Sequence, residues 1–176
     1  MLLTVYRCTL TGFFGYTVLD GDREAFQFAC HLMSSCPPVQ IEGREFRLTS
    51  EFDRETTMVP GQTCREIRDH RGKTAGTLRY EDQGLYTLLS PEGDYLIEDR
   101  GGKFLVFSSR NRNVLTVKRL TGETSVPASV REIYPYYDVE PYYEMTADPG
   151  LSPRVMAMLA AFPLLRFDHD YPRERF

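Results

Sequence analysis

The chain has 176 residues, 41% of them hydrophobic and 26% charged, which is the composition of an ordinary globular protein. A folded chain of its 20.3 kDa buries about 70% of its extended surface, so a core forms without disulfides or metals. With 21 basic against 25 acidic residues the net charge is −4, which argues against a nucleic-acid binder.

No run reaches the roughly 20 apolar residues of a membrane-spanning helix, the longest being Val155 to Leu165. Met1 to Arg7 has no basic segment ahead of its apolar residues, so no signal peptide is expected and the expected compartment is the cytoplasm. The spacing of Cys8, Cys30, Cys36 and Cys64 fits no zinc or redox pattern, and the expectation is four free thiols.

In chain order, Leu2–Cys8 and Phe13–Leu19 are rich in β-branched and aromatic residues and are separated by Thr11-Gly12, which predicts a hairpin. Arg23–Met33 places Phe26, Ala29, Cys30 and Met33 at helical spacing behind Asp22 as an N-cap, which predicts a helix. Phe26-Gln27-Phe28 also alternates as a strand would, and Cys36-Pro37-Pro38 ends either element. Strands are predicted at Glu45–Ser50, Cys64–Asp69, Thr74–Tyr80, Leu85–Ser90, Asp94–Glu98, Lys103–Ser108 and Asn113–Leu120. Between them lie turn sequences such as Ser90-Pro91-Glu92-Gly93 and Asp99-Arg100-Gly101-Gly102. Asp69-x-x-Gly72-Lys73 recurs as Asp99-x-x-Gly102-Lys103, which reads as two similar hairpin turns. Turns every 8–12 residues or so point to an antiparallel sandwich or barrel.

Ser152 is a natural N-cap and Pro153 suits the first helical position, where its missing N–H costs nothing. Val155 to Phe162 then carries no polar side chain over two turns. A helix apolar all round is buried on all sides, and this one is too short for a bilayer. The economical arrangement is mainly β: a closed antiparallel barrel of about 10–12 strands around a buried C-terminal helix. Closure also removes exposed strand edges. Pro163 should stop or kink the helix, with Leu164 to Phe167 leaving as an extended piece. Residues 1–168 would form one domain and 169–176 a loose charged tail.

This order of elements resembles the bacterial-type tubby C-terminal fold, which is shared with LURP-one-related and phospholipid scramblase-like proteins. The likeness is carried by the hairpins from Cys64 to Leu120, including Asp69-His70-Arg71-Gly72-Lys73-Thr74-Ala75-Gly76-Thr77-Leu78. Tyr142-Tyr143-Glu144-Met145, Leu151-Ser152-Pro153 and the apolar helix complete it. The family's scramblases carry a proline-rich N-terminal region and a cysteine cluster that this chain lacks. The resemblance therefore implies a non-enzymatic binding module for a phospholipid headgroup or a protein partner. Tubby proteins hold phosphoinositide headgroups with a Lys/Arg pair on the barrel wall, and the candidates here are Arg110, Arg112, Lys118 and Arg119. Lys118 and Arg119 point to opposite faces of a strand, so an exposed hairpin rim is the plainer reading of that stretch.

A small enzyme or small-molecule binder with a pocket at the barrel mouth is the alternative. His31 adjoins Cys30, His70 falls in a turn and His169 in the tail, so no Cys–His dyad is expected. No catalytic residue, cofactor or metal site is assigned, since no P-loop, G-x-G-x-x-G or G-x-S-x-G is present. The tyrosines of 134–143 read as packing residues, and their prolines suggest an edge strand.

Overall fold

The structure is a computed structural model that describes residues 1–31, 38–52, 61–101, 103–120 and 125–165. Twelve strands run in chain order: β1 (Leu2–Leu10), β2 (Phe13–Asp20), β3 (Arg23–His31), β4 (Val39–Gly43), β5 (Phe46–Phe52) and β6 (Gln62–Asp69) come first. β7 (Thr74–Asp82), β8 (Leu85–Ser90), β9 (Gly93–Asp99), β10 (Lys103–Ser108), β11 (Asn113–Arg119) and β12 (Asp138–Ala147) follow. Among the described residues three short helices are present: α1 (Ala128–Ile133), α2 (Pro153–Ala160) and α3 (Phe162–Leu165).

Each strand pairs antiparallel with its sequence neighbours, and β12 pairs with β1 to close the barrel. The seam runs from Leu2↔Thr146 to Thr9↔Asp138, and the Met1 amino group donates to the Ala147 carbonyl at 2.8 Å. Alternate residues fill the inside: Phe26, Phe28 and Cys30 on β3, Tyr86 and Leu88 on β8, Phe104 and Val106 on β10. The upper rim carries the β2–β3, β4–β5, β6–β7, β8–β9 and β10–β11 connections. The lower rim carries the others.

The two echoing turns are both closed by an aspartate. Asp69 accepts from the Arg71 and Lys73 N–H groups at 2.9 Å, with Gly72 at φ 76°. Asp99 accepts from Gly101 N–H at 3.2 Å, and there Gly101 takes the positive φ, at 62°. Glycine occupies these left-handed positions without the Cβ clash that other residues meet.

Arg23–His31 is a strand, not the helix expected of Arg23–Met33. Phe26, Phe28 and Cys30 all point inward, so the period of two decides the element and the helical spacing of Ala29 is incidental. Asp22 lies in the β2–β3 turn beside Gly21 (φ 61°) and caps no helix. Met33 and Cys36 lie outside the described residues. β12 is no edge strand, being paired on both sides. Its Pro141 sits at a bulge, where Val5 pairs with Tyr143 and Tyr6 with Pro141, leaving Tyr142 as the extra residue. The β11 ladder reaches only to Tyr143, so the missing N–H of Pro141 falls beyond it.

Ser152 caps α2 as expected: its hydroxyl accepts from Val155 N–H at 3.2 Å, with Pro153 opening the helix. Every residue from Val155 to Ala160 is buried. α2 packs against β4, and Met158 lies against Gly76 of β7, where an added Cβ would come within 2.9 Å of its sulfur. Phe162 meets Tyr86 of β8 and Phe104 of β10 edge to face, at 4.9 and 5.3 Å between centroids. Leu164 and Leu165 belong to α3 and do not leave as an extended piece. Pro163 sits in the first turn of α3, where the absent N–H has no partner to lose, so it starts a second short helix. The tail beyond Leu165 lies outside the described residues.

β2 is buried on both faces. Outside the barrel, residues 126–137 lie over it: Tyr6, Leu19 and Val130 form a second cluster with Val126, Tyr134 and, from β12, Val139.

Candidate functional site

The four basic residues singled out in the sequence do not form one group. Arg110 and Arg112 lie at the upper rim, in the turn closed by Ser108 N–H donating to Arg112 O at 2.9 Å. There Arg112 is ion-paired with Asp148. Lys118 and Arg119 lie at the far end of β11. At about 3.3 Å per strand residue, Arg112 and Lys118 are about 20 Å apart.

At the lower rim the two neighbours part. The Arg119 guanidinium stands over the Tyr142 ring at 5.3 Å, and Arg7 approaches the same ring at 4.8 Å. Arg7 is ion-paired with Glu140, and Tyr142 stacks on Tyr16 at 5.4 Å. Cation–π contact of this kind attracts both guanidiniums to the ring face.

Lys118 faces outward, and across the ladder its register partner is Lys103 at the start of β10. Both are exposed, and neither has an ion pair among the described residues. Glu144 is the partner of Lys118 on the other side. Like charges directly opposite on a sheet repel, so this pair lowers its free energy when an anion bridges it. Sequence reasoning missed Lys103 because it lies 15 positions away from Lys118. Counting back from the Arg110-Asn111-Arg112 turn would have set Lys103 opposite Val117, because a bulge between Val106 and Phe107 shifts the register by one.

A narrow cleft with room for about one water lies between β1–β3 and the outer segment. It is lined by Cys8, Phe13, Gln27 and Tyr134 among others. The Tyr134 hydroxyl donates to Gln27 Oε1 at 2.8 Å, and Thr17 Oγ1 donates to Glu24 Oε2 at 3.0 Å. Burial pushes the Cys8 thiol up to about 12 and the Cys30 thiol up to about 11. Both are thus thiols, not thiolate nucleophiles, at neutral pH. Burial also raises the Tyr134 phenol to about 12. No group of three or more His, Cys, Asp or Glu among the described residues is placed to hold a metal ion. His169 lies outside the described residues.

These raised values set an alkaline limit on stability. In the unfolded chain the thiols ionise near pH 8.5 and the phenol near 10. In the fold they hold their protons to about 11–12. The unfolded state therefore sheds protons first, and the stabilisation is complete below about pH 8.5 and lost as pH rises to 12. Urea unfolding at pH 8 and pH 10.5 should show lower stability at 10.5. Cys8→Ala should make that fall shallower, and an unchanged midpoint at the two pH values would contradict the assignment.

Among the described residues no helix is long and apolar enough to cross a membrane. No family model, curated protein or solved structure matches this chain.

Proposed function

We infer that the protein is a non-enzymatic binding module of the tubby-like class that takes a phospholipid headgroup on its outer wall. The observation that carries the reading is the register of Lys103 with Lys118, two exposed cations side by side with no ion pair among the described residues. A phosphate can accept from both ammonium groups at once. The class rests on the closed barrel and on what α2 and α3 touch. Their contacts reach β4, β6, β7, β8 and β10, strands spread over much of the barrel, which favours a helix running down its interior. The free, buried thiols of Cys8 and Cys30 suit a reducing cytoplasm.

Each basic side chain near an anionic surface is worth about 1 kcal/mol, so the two lysines together supply about 2 kcal/mol, or roughly 30-fold in affinity. Co-sedimentation with vesicles containing an anionic phospholipid tests this at low and high salt. Wild-type protein should pellet at low salt and be released by high salt. Lys103→Ala with Lys118→Ala should remove most of the binding. Arg110→Ala with Arg112→Ala, at the opposite rim, should change it little. Equal pelleting of the lysine variant and wild type would refute the site.

A further inference from the structure

We propose that the outer face of β8–β10 is a two-fold interface on which a second copy of this chain docks. The outward positions of these strands are unusually apolar. Leu85 and Leu96 are each 37% exposed, and Leu89, Leu105 and Phe107 are half-buried beside them. Register makes them one surface. Leu105, Glu98 and Leu85 form one row across the three strands, and Phe107, Leu96 and Thr87 form the next. Leu89 extends the patch beside Asp94. The one charge inside it, Glu98, is already neutralised by Arg100. Three strands about 4.8 Å apart and rows about 6.7 Å apart give a footprint on the order of 300 Å², at the lower end of the largest apolar patch of a typical monomer, which is often functional.

The charges at its two ends say what covers it. Toward the lower rim the patch is bounded by Lys103. Toward the upper rim it is bounded by Asp94 and Glu92, both without an ion pair among the described residues. Lys103 and Asp94 stand one row outside the two central rows, on opposite sides. A two-fold axis lying in the plane of the interface and running across the strands, between those rows, sets Leu96 near the axis. It turns the two faces toward each other and brings Lys103 of each copy into the row of Asp94 of the other, one strand spacing of about 4.8 Å to the side. The face is therefore complementary to itself in charge as well as apolar, which is what an isologous dimer requires. Its area is below the usual 800 Å² per partner, so the dimer is weak and depends on concentration.

Sedimentation equilibrium of the full chain from about 10 to 500 µM tests this directly. Wild-type protein should pass from monomer to dimer over that range. Leu96→Glu should stay monomeric, since truncating or charging a central anchor costs at least tenfold in affinity. Lys103→Glu and Asp94→Lys should each weaken the dimer, and the double variant should recover it, because the swapped charges still meet across the axis. A monomeric wild type at 500 µM, a dimer unaffected by Leu96→Glu, or a double variant as weak as the singles overturns the proposal. Circular dichroism melting of Leu96→Glu confirms that it folds. The vesicle reading shares only Lys103 with this surface, so Leu96→Glu should still pellet with anionic vesicles. Failure of the dimer and failure of the headgroup site are thereby distinguishable.

Discussion

Replacing Arg65 with methionine is expected to lower stability by about 2–4 kcal/mol, the cost of leaving a buried carbonyl and a buried hydroxyl without their donor. Arg65 is only 2% exposed on β6. Its Nε donates to the Leu165 carbonyl at 3.0 Å and its Nη1 to the Ser50 hydroxyl at 3.1 Å. Ser50 in turn accepts from the Val39 N–H at 2.9 Å, so one guanidinium ties β4, β5 and β6 to the end of α3. The last carbonyls of a helix have no partner of their own, and a buried end must find one. A cation there also meets the negative end of the helix dipole. Methionine fills the volume but leaves the carbonyl and hydroxyl with lost bonds. For a chain of this length the loss corresponds to a melting temperature lower by roughly 10 °C. Arg65→Lys keeps the charge but not the fork and should fall between. A loss below about 1 kcal/mol would show that α3 is not held by this contact.

Phe162→Ala should cost a similar amount, about 3–5 kcal/mol, through lost burial and the cavity left behind. Phe162 is 1% exposed, and its ring meets both Tyr86 and Phe104 edge to face. Because those two strands belong to a closed wall, neither can move in to fill the space without breaking ladder hydrogen bonds. Phe162→Leu should lose less, about 1.5 kcal/mol, since it keeps most of the volume. Denaturant titration of the two variants checks the ratio. Equal losses would mean that volume does not matter there.

The strands that could be read from the sequence are those bounded by strong turns. Gly12, Gly72, Gly84 and Gly93 punctuate the chain at positive φ, and each separates two strands correctly placed by alternation. The capped helix was equally plain, because Ser152-Pro153 and the all-apolar run that follows agree at every level. Val39–Gly43 was overlooked because five residues with two inward side chains give too little alternation to stand out. In Arg23–His31 the inward set Phe26, Phe28 and Cys30 overlaps a helical spacing, and only the partners β2 and β4 decide between them. α1 is six residues with one buried side chain, too short for any periodicity. The site was half visible for a related reason. Local density of charge picks out Arg110 to Arg119, whereas proximity in a sheet follows register, which joins Lys118 to Lys103 and parts it from Arg112.

The seam between β1 and β12 has a consequence for how the chain reaches this state. Eleven of the twelve strand pairings are made with the next strand along, and the hairpins among them form early. The twelfth joins residues as far apart as Leu2 and Thr146. Until synthesis has passed Ala147 the barrel cannot shut, and α2 and α3 do not yet exist. The nascent protein is then a curled, open-edged sheet with its most apolar face uncovered. Such a species pairs readily with its own kind, and it is the natural client of a chaperone. Yield at high expression should thus be governed by the time spent in this unsealed form as well as by the stability of the finished barrel.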